Sequence, residues 1–202
     1  MLDYESRLWS QGVIHIAGID EVGRGCLFGD VVAAAVILPV GVRIEDIDDS
    51  KKLSEKKREA CYDRIVEEAV AWSIGRVDAC GVDELNIKQA ARVAMKRAVE
   101  GLSVKPEHLL IDAERVASEL PQTAIIKGDQ LSQSIAAASI VAKVTRDRLC
   151  VEWDRMYPEY GIAVHKGYAT KYHREQIRLF GASPLHRRSF LGKVLSEQLE
   201  LF

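Results

Sequence analysis

Cysteines are few in this sequence, and their spacing fits neither a zinc site nor a disulfide framework. The four cysteines are Cys26, Cys61, Cys80 and Cys150, and no two of them lie at metal-ligand spacing. The N-terminal segment also lacks the apolar core of a secretory signal. We therefore expect reduced thiols and a cytoplasmic protein, because disulfides are rare in reducing compartments.

Long apolar runs and a strong excess of one charge are also missing. The longest apolar run, VVAAAVILPVGV, is too short to span a bilayer and contains Pro39, so no membrane association is expected. The net charge of −2 gives no overall basic field for nucleic acid, although a local basic face would suffice. No segment rich in Pro, Gly and Ser divides the 202 residues. We expect a single domain over residues 1–202 and a monomer.

The apolar residues that are present predict a mixed α/β architecture. The segments 12–20 and 30–39 predict two strands, joined as a hairpin at Gly29-Asp30. Further strands are predicted in AWSIGRVD, EHLLIDA and TAIIKGD. Helical periodicity begins after Ser54, fills residues 81–102 and 130–157, and returns near Lys171. This order predicts a mixed sheet flanked by helices, with a small helical extension at the C-terminus.

Acidic residues stand at the ends of three of the predicted strands. Asp20, Asp112 and Asp129 each end an apolar run, and Glu21 follows Asp20. If these strands are neighbours in one sheet, the acids converge at one edge of it. Adjacent strand residues point to opposite faces, so Asp20 and Glu21 converge only if the chain bends, for which the neighbouring glycines give room.

Clustered carboxylates need cations among them. Two carboxylates ~4 Å apart repel by roughly 4 kcal/mol at an effective dielectric near 20. An oxygen-only ligand set suits Mg²⁺ or Mn²⁺ and disfavours zinc, and two such ions would serve phosphoryl transfer. Each acid also has a structural alternative, with Asp129 as a helix N-cap, Asp112 as a turn residue and Asp20-Glu21 as a solvated strand end. The pattern favours a metal-dependent nuclease or phosphatase.

Basic residues concentrate in two segments. Between positions 166 and 193 there are seven Lys or Arg and one acid, Glu175. We interpret this bias as a phosphate-binding surface that includes Lys166, the alternative being a solvated helix face. In DSKKLSEKKR, Lys51 is a candidate phosphate contact, whereas residues 56–58 are expected to be ordinary helix surface.

One long predicted helix carries a further candidate pair. Ser139 and Lys143 lie four residues apart, which places them on one helix face where they could bind the same phosphate. The alternative for Ser139 is a core hydroxyl that bonds back to its own helix.

Seven motifs occur in order and are similar to those of bacterial ribonuclease HII, a type 2 ribonuclease H. They are GIDEVGRG, DSKKLSEKKR, DELNI, LLIDA, IIKGD, SIAAASIVAKVTRD and HKGYAT. The resemblance implies a ribonuclease H-like fold with a C-terminal helical, substrate-binding extension over residues 165–202. It implies hydrolysis of the RNA strand of RNA–DNA hybrids, including cleavage 5′ of single ribonucleotides embedded in DNA, and a role in ribonucleotide removal.

The resemblance also implies a catalytic centre. The metal-binding acids of the family fall on Asp20, Glu21, Asp112 and Asp129. They would act with two divalent cations, Mg²⁺ or Mn²⁺, and the products would carry a 5′-phosphate and a 3′-hydroxyl.

Substrate recognition is implied by two further motifs. Gly23, Arg24 and Gly25 fall on the family motif that contacts 2′-hydroxyls, the group that distinguishes RNA from DNA. Tyr168 falls on the tyrosine that packs against the nucleotide at the RNA-to-DNA junction.

The sequence departs from the family pattern at several positions. Cys26 and Ala169 stand where proline is usual, and Ala113-Glu114 replaces Gly-Asn. Glu114 adds an acid near the cluster, with an expected effect on metal preference or substrate fit. Cys26 is expected to be a small buried thiol, the alternative being an oxidation-sensitive one.

Two alternative functions and one candidate partner contact accompany this interpretation. A ribonuclease HIII-like hybrid nuclease normally has an extra N-terminal domain and a glutamate as its last ligand, whereas fewer than twenty residues precede Asp20 here and position 129 is aspartate. A non-catalytic hybrid-binding module would not need all four acids. The last residues, SEQLELF, resemble a sliding-clamp-binding tail through Leu199, Leu201 and Phe202, or else an amphipathic helix end.

Overall fold

A mixed sheet forms the centre of the molecule. The computed structural model describes residues 1–45, 47 and 53–196, without the side chains of Lys193 and Ser196. The strands are β1 (Ile16–Val22), β2 (Val31–Ile37), β3 (Ala71–Val77), β4 (His108–Asp112) and β5 (Gln122–Ile125). Their order is β3-β2-β1-β4-β5, and β1 is antiparallel to β2 but parallel to β4. The predicted hairpin and mixed sheet are confirmed.

Helices pack on both faces of this sheet. They are α1 (Asp3–Ser10), α2 (Glu55–Glu68), α3 (Ala79–Leu85), α4 (Ile87–Glu100), α5 (Gly128–Leu131), α6 (Gln133–Met156), α7 (Ile162–His165), α8 (Lys171–Phe180) and α9 (Gly192–Ser196). The alanines of α4 pack on the face that carries Ala17 and Ile19. The alanines of α6 pack together with α2 on the opposite face of the sheet. In the part of the chain that the structure describes, no helix has the length and apolar content of a bilayer crossing.

Two predicted helices are interrupted, and one helix was missed. The helix expected over 81–102 breaks at Asn86, which has φ of +64° and whose side chain caps α4 by accepting the N–H groups of Lys88 and Gln89. The helix expected over 130–157 begins only after Ser132, whose side chain accepts the N–H of Ile135. The sequence interpretation did not predict the N-terminal helix α1, although Tyr4 and Leu8 lie four residues apart and pack on one apolar cluster.

Gly18 allows α6 to lie directly against β1. A Cβ atom at Gly18 would stand 2.0 Å from the backbone carbon of Ser134 and 2.5 Å from the backbone nitrogen of Ile135. Only a residue without a side chain fits there. Gly18 therefore permits a close backbone approach, which positions the start of α6 over β1.

The residues after α6 pack on a short segment that follows β1. The backbone N–H of Leu27 donates to the carbonyl of Gly167, and the N–H of Arg187 donates to the carbonyl of Leu27, both at 2.8 Å. Phe28 is fully buried in a separate apolar cluster that includes Trp153 of α6. The C-terminal segment is thus bonded to the chain that carries Gly23–Gly25.

Candidate active site

Three of the four predicted acids meet at one edge of the sheet. Strand β1 continues to Val22, so Asp20 and Glu21 lie within the strand, and the expected strand end and bend at these residues are wrong. Asp20 consequently lies on the face covered by α6, and Glu21 lies on the opposite face. Asp112 ends β4, and its predecessor Ile111 pairs with Ile19, so Asp112 is the neighbour of both acids.

Asp129 reaches the same edge by a different route. Strand β5 ends at Ile125, and Asp129 lies in α5, so its placement at a strand end is wrong. The N-cap alternative is also wrong, because Lys127 is the N-cap of α5 and Ser132 that of α6. The N–H of Gly128 donates to Asp112 Oδ1 at 2.7 Å. This bond holds the buried Asp129 in the turn directly beside Asp112.

Burial and mutual repulsion disfavour the charged forms of these acids. Burial raises the pKa of Asp20 well above its usual range, and Glu21 and Asp112 raise it further by repulsion. Burial likewise raises the pKa of Glu21, although Arg24 offsets part of this effect through a 3.1 Å ion pair with Glu21 Oε1. The other oxygen, Glu21 Oε2, is buried and has no hydrogen-bond partner. Such an orphaned anionic oxygen is costly unless a cation binds it.

These residues fit divalent cations by chemistry, although they do not converge on one point. Among the described residues, no three His, Cys, Asp or Glu side chains are grouped closely enough to hold a metal ion as they stand. The donors are all carboxylate oxygens, and Glu21 Oε2 is unpaired. This set suits Mg²⁺ or Mn²⁺.

The Gly-Arg-Gly turn and Tyr168 form one surface next to the acids. Gly23 has φ of +90°, and a Cβ there would stand 2.3 Å from Arg146 Nε, so glycine is required. A Cβ at Gly25 would meet only Tyr168 Cε1, at 3.9 Å. Tyr168 itself is 45% exposed. Cys26 is buried beneath this surface and donates to the carbonyl of Lys166, as expected of a small buried thiol.

Glu114 joins Arg24 to a second arginine. Glu114 Oε1 lies 3.7 Å from Arg24 Nη1, while Oε2 accepts from Arg92 Nε and Nη2 at 3.0 and 2.9 Å. The acid that departs from the family pattern therefore holds the cation of the Gly-Arg-Gly motif. Ala113 adopts φ of +49°, a left-handed conformation that explains why glycine is usual at this position.

The residues predicted as phosphate contacts or as helix surface differ in their surroundings. The Ser139 side chain hydrogen-bonds with the Asp20 carboxylate, and Lys143 pairs with Asp147 at 2.5 Å. Arg58 is not ordinary helix surface, because it contacts the same Asp147 and donates to the carbonyl of Leu53. Lys166 is half-buried and has φ of +54°. Lys51 lies outside the described residues.

Comparison with known proteins shows the family of this chain. The family model described as Ribonuclease HII matches residues 17–193. The chain belongs to the ribonuclease HII family. Ribonuclease HII of Alkaliphilus metalliredigens is 56% identical over 200 residues, which cover 96% of this chain and 98% of that protein. Members of the family are metal-dependent endoribonucleases that cleave the RNA strand of RNA–DNA hybrids.

Solved structures support the ribonuclease H-like fold. The ribonuclease H2 of Pyrococcus horikoshii is similar with a TM-score of 0.76 and 24% identity, covering 91% of this chain and 98% of that one. The ribonuclease HII of Archaeoglobus fulgidus, solved in complex with PCNA, has a TM-score of 0.71 and 27% identity, covering 87% and 94%.

The ribonuclease HII interpretation of the sequence missed two arginines that hold the backbone around the Gly-Arg-Gly turn from within. Arg146 is buried and donates to the carbonyls of Phe28, Asp30 and Lys166 at 2.8–3.0 Å. Arg187 is buried and donates to the carbonyls of Arg24 and Gly29 at 3.1 and 2.9 Å, so it is no part of the predicted basic surface. Burial lowers the pKa of Arg187 to about 10. The one available signal was that Arg146 shares a helix face with Ala142 and Cys150, which are also buried.

Proposed function

We propose that this ribonuclease HII cuts 5′ of single ribonucleotides embedded in duplex DNA and initiates their removal. The observation that carries this proposal is the contact of Tyr168 with Gly25, in the turn that directly follows the acid-bearing strand β1. The glycines of this turn have no side chains, so its backbone can approach a ribose closely and test for a 2′-hydroxyl. A half-exposed ring next to that turn can pack on the following nucleotide, where RNA gives way to DNA.

The catalytic centre is proposed to use two cations held by Asp20, Glu21, Asp112 and Asp129. Two divalent ions, when bound there, would activate water and stabilise the departing 3′-oxygen, which gives 5′-phosphate and 3′-hydroxyl ends. Ser139 orients the Asp20 carboxylate through their hydrogen bond. Glu21 lies on the face of β1 opposite to Asp20. Its unpaired Oε2 supports a role for this residue in metal binding.

Phosphate contacts are proposed for the cations around this centre. Lys143 lies one helical turn beyond Ser139, and its ion pair with Asp147 fixes its direction. Arg24 is 40% exposed in its side chain while paired with Glu21 and Glu114, so it can also contact the backbone of the substrate. Residues 165–202 are proposed as the substrate-binding extension, with Lys166 and Tyr168 at its start.

The function is tested with three duplexes of the same sequence. One is all DNA, one contains a single ribonucleotide, and one is a continuous RNA–DNA hybrid. We expect cleavage 5′ of the single ribonucleotide with Mg²⁺ or Mn²⁺, and no cleavage of the DNA duplex. Cleavage of the continuous hybrid alone would contradict junction recognition and favour the ribonuclease HIII-like alternative. No cleavage of any duplex would favour a binding module.

Gly25→Ala should reduce cleavage without reducing stability. The added methyl group would make only an ordinary contact, at 3.9 Å from Tyr168 Cε1, so the melting temperature should stay unchanged. The methyl group would nevertheless occupy the space proposed for the ribose, and we expect a loss of roughly tenfold to a hundredfold in kcat/KM on the single-ribonucleotide duplex. Gly192→Ala, where no atom lies within 4 Å of the new methyl group, is the matched control for the melting temperature. Wild-type activity of Gly25→Ala would contradict backbone recognition at Gly25.

Partners and location are also proposed. The PCNA complex of the A. fulgidus relative supports a sliding-clamp contact, for which the predicted segment with Leu199, Leu201 and Phe202 lies outside the described residues. Unchanged binding of Phe202→Ala to an immobilised clamp would contradict this contact. We further propose that the protein is cytoplasmic and monomeric. Sedimentation at two protein concentrations would check the monomer.

A further inference from the structure

Tyr168 is attached to the protein through a side-chain hydrogen bond with Cys26 and through its backbone. The residue is 45% exposed, whereas its carbonyl oxygen accepts the N–H of Thr170 at 2.8 Å and lies 2.9 Å from Nδ1 of His173 in α8. His173 is fully buried and in turn lies 3.1 Å from His186, Nε2 to Nε2. At the far end, Nδ1 of the buried His186 lies 2.9 Å from the backbone nitrogen of Ser183. The proposed junction-reading residue is therefore the end of a chain of buried hydrogen bonds.

Both ends of this chain fix the positions of the protons. A carbonyl oxygen can only accept, so His173 Nδ1 must carry a proton and donate it to Tyr168. A backbone N–H can only donate, so His186 Nδ1 must be unprotonated and accept from Ser183. In neutral rings this leaves a proton on His186 Nε2 and a lone pair on His173 Nε2, which match across the 3.1 Å contact. Neutral rings with complementary tautomers satisfy every bond of the chain.

Neighbouring rings keep both histidines neutral and fixed. His165 stacks on His173 at 4.4 Å between ring centroids, accepts the N–H of Gly167 at Nδ1 and bonds to the Tyr160 carbonyl through Nε2. Phe28 packs edge-on against His186 at 4.8 Å. Burial lowers the pKa of His173 to about 4 and that of His186 to about 3. A proton added to either ring would place two N–H groups against each other or against the N–H of Ser183.

We propose that His186 and His173 form a neutral imidazole relay that positions Tyr168 for recognition of the RNA-to-DNA junction. This inference rests on the proposed function, in which Tyr168 contacts the nucleotide at the junction. The relay orients the Tyr168 backbone together with the N–H of Thr170, and this backbone acts with the Cys26 contact to set where the ring stands relative to Gly25. His173 and His186 are positioning residues, because they lie inside the protein and act on the substrate only through Tyr168.

A pair of amide variants separates positioning from general packing. The side-chain amide of Asn can replace the His173 Nδ1–H donor to Tyr168, whereas that of Gln reaches the Nε2 position and leaves the Tyr168 carbonyl with only the N–H of Thr170 as a donor. His173→Asn should therefore keep the ratio of kcat/KM on the single-ribonucleotide duplex to that on the continuous hybrid. His173→Gln should lower this ratio by roughly tenfold or more, the scale on which small misplacements reduce rates. His108→Gln is the control and should leave the ratio unchanged. His108 hydrogen-bonds with Thr123 and lies at the end of β4 opposite to Asp112.

Tyr168→Ala in the same assay separates the proposed role of Tyr168 from that of the relay. If Tyr168→Ala lowers the ratio and His173→Gln does not, the relay is wrong and the role of Tyr168 stands. If Tyr168→Ala leaves the ratio unchanged, the proposed role of Tyr168 fails, and the relay fails with it. If both variants lower the ratio, the double variant should be no worse than Tyr168→Ala alone.

Nitrogen NMR of the wild-type protein tests the relay without any variant. At pH 7 the imidazole ¹⁵N shifts should show His173 protonated at Nδ1 and His186 protonated at Nε2. The opposite tautomer of either ring, or a charged ring, would overturn the relay even if every variant failed to fold.

Discussion

Asp112→Asn is expected to abolish cleavage while duplex binding is largely retained. The change removes one charge from the carboxylate set proposed to hold the two cations. A loss of about 4 kcal/mol of transition-state stabilisation would lower the single-turnover rate by a factor on the order of a thousand. Single-turnover cleavage of the single-ribonucleotide duplex measures the rate, and fluorescence anisotropy without divalent ions measures binding.

The fold should tolerate this substitution. Asp112 Oδ1 accepts the N–H of Gly128 at 2.7 Å, and the amide oxygen of asparagine can accept the same bond. The lost charge also relieves the repulsion that raises the pKa of Asp20. We therefore expect the metal-free variant to melt at the wild-type temperature or above it. Mg²⁺ or Mn²⁺ should raise the melting temperature of the wild type more than that of the variant, because ligands stabilise the state that binds them.

Asp154→Asn is the matched control for this experiment. Asp154 also accepts a backbone N–H through Oδ1, from Ala163 at 3.1 Å. It lies about 22 Å along α6 from Ser139 at 1.5 Å per residue. This variant should cleave at the wild-type rate. Full activity of Asp112→Asn with Mg²⁺ would contradict the two-cation mechanism.

The sheet could be predicted from the sequence because its signals are local. The β-branched runs of β1 and β2 and the turn between them specify a hairpin within a short stretch of chain. The break at Asn86 was missed because the apolar periodicity continues across it, and only the capping geometry separates α3 from α4. Helix α1 escaped prediction since its stabilising contact, between Glu5 and the start of α6, joins residues far apart in sequence.

The site was predicted in its residue types but not in its geometry. The pattern of acids identified Asp129, but only the structure shows that it reaches Asp112 through a turn after β5. The partners of Arg187 are backbone carbonyls, which carry no residue identity and so leave no pattern in the sequence. Arg58 appeared to be surface because its partner Asp147 lies on another helix. Long-range polar contacts of this kind require coordinates.

Gly18→Ala is expected to be the most destabilising small substitution in β1. The new methyl carbon would stand 2.0 Å from the backbone carbon and 2.1 Å from the backbone oxygen of Ser134, and backbone atoms cannot move aside as a side chain can. Helix α6 would have to move away from the sheet, and we expect the free energy of unfolding to fall by about 3 kcal/mol. Urea denaturation followed by circular dichroism measures this change.

The same displacement should affect catalysis, because Gly18 and Asp20 face α6 from the same side of β1. Movement of α6 would separate Ser139 from the Asp20 carboxylate, with which it hydrogen-bonds. The fraction of Gly18→Ala that folds should therefore cleave more slowly than the wild type at a temperature well below its melting point. Gly192→Ala, whose methyl group meets no atom within 4 Å, should match the wild type in stability. If Gly18→Ala is as stable and as active as the wild type, α6 does not pack against β1 at backbone distance.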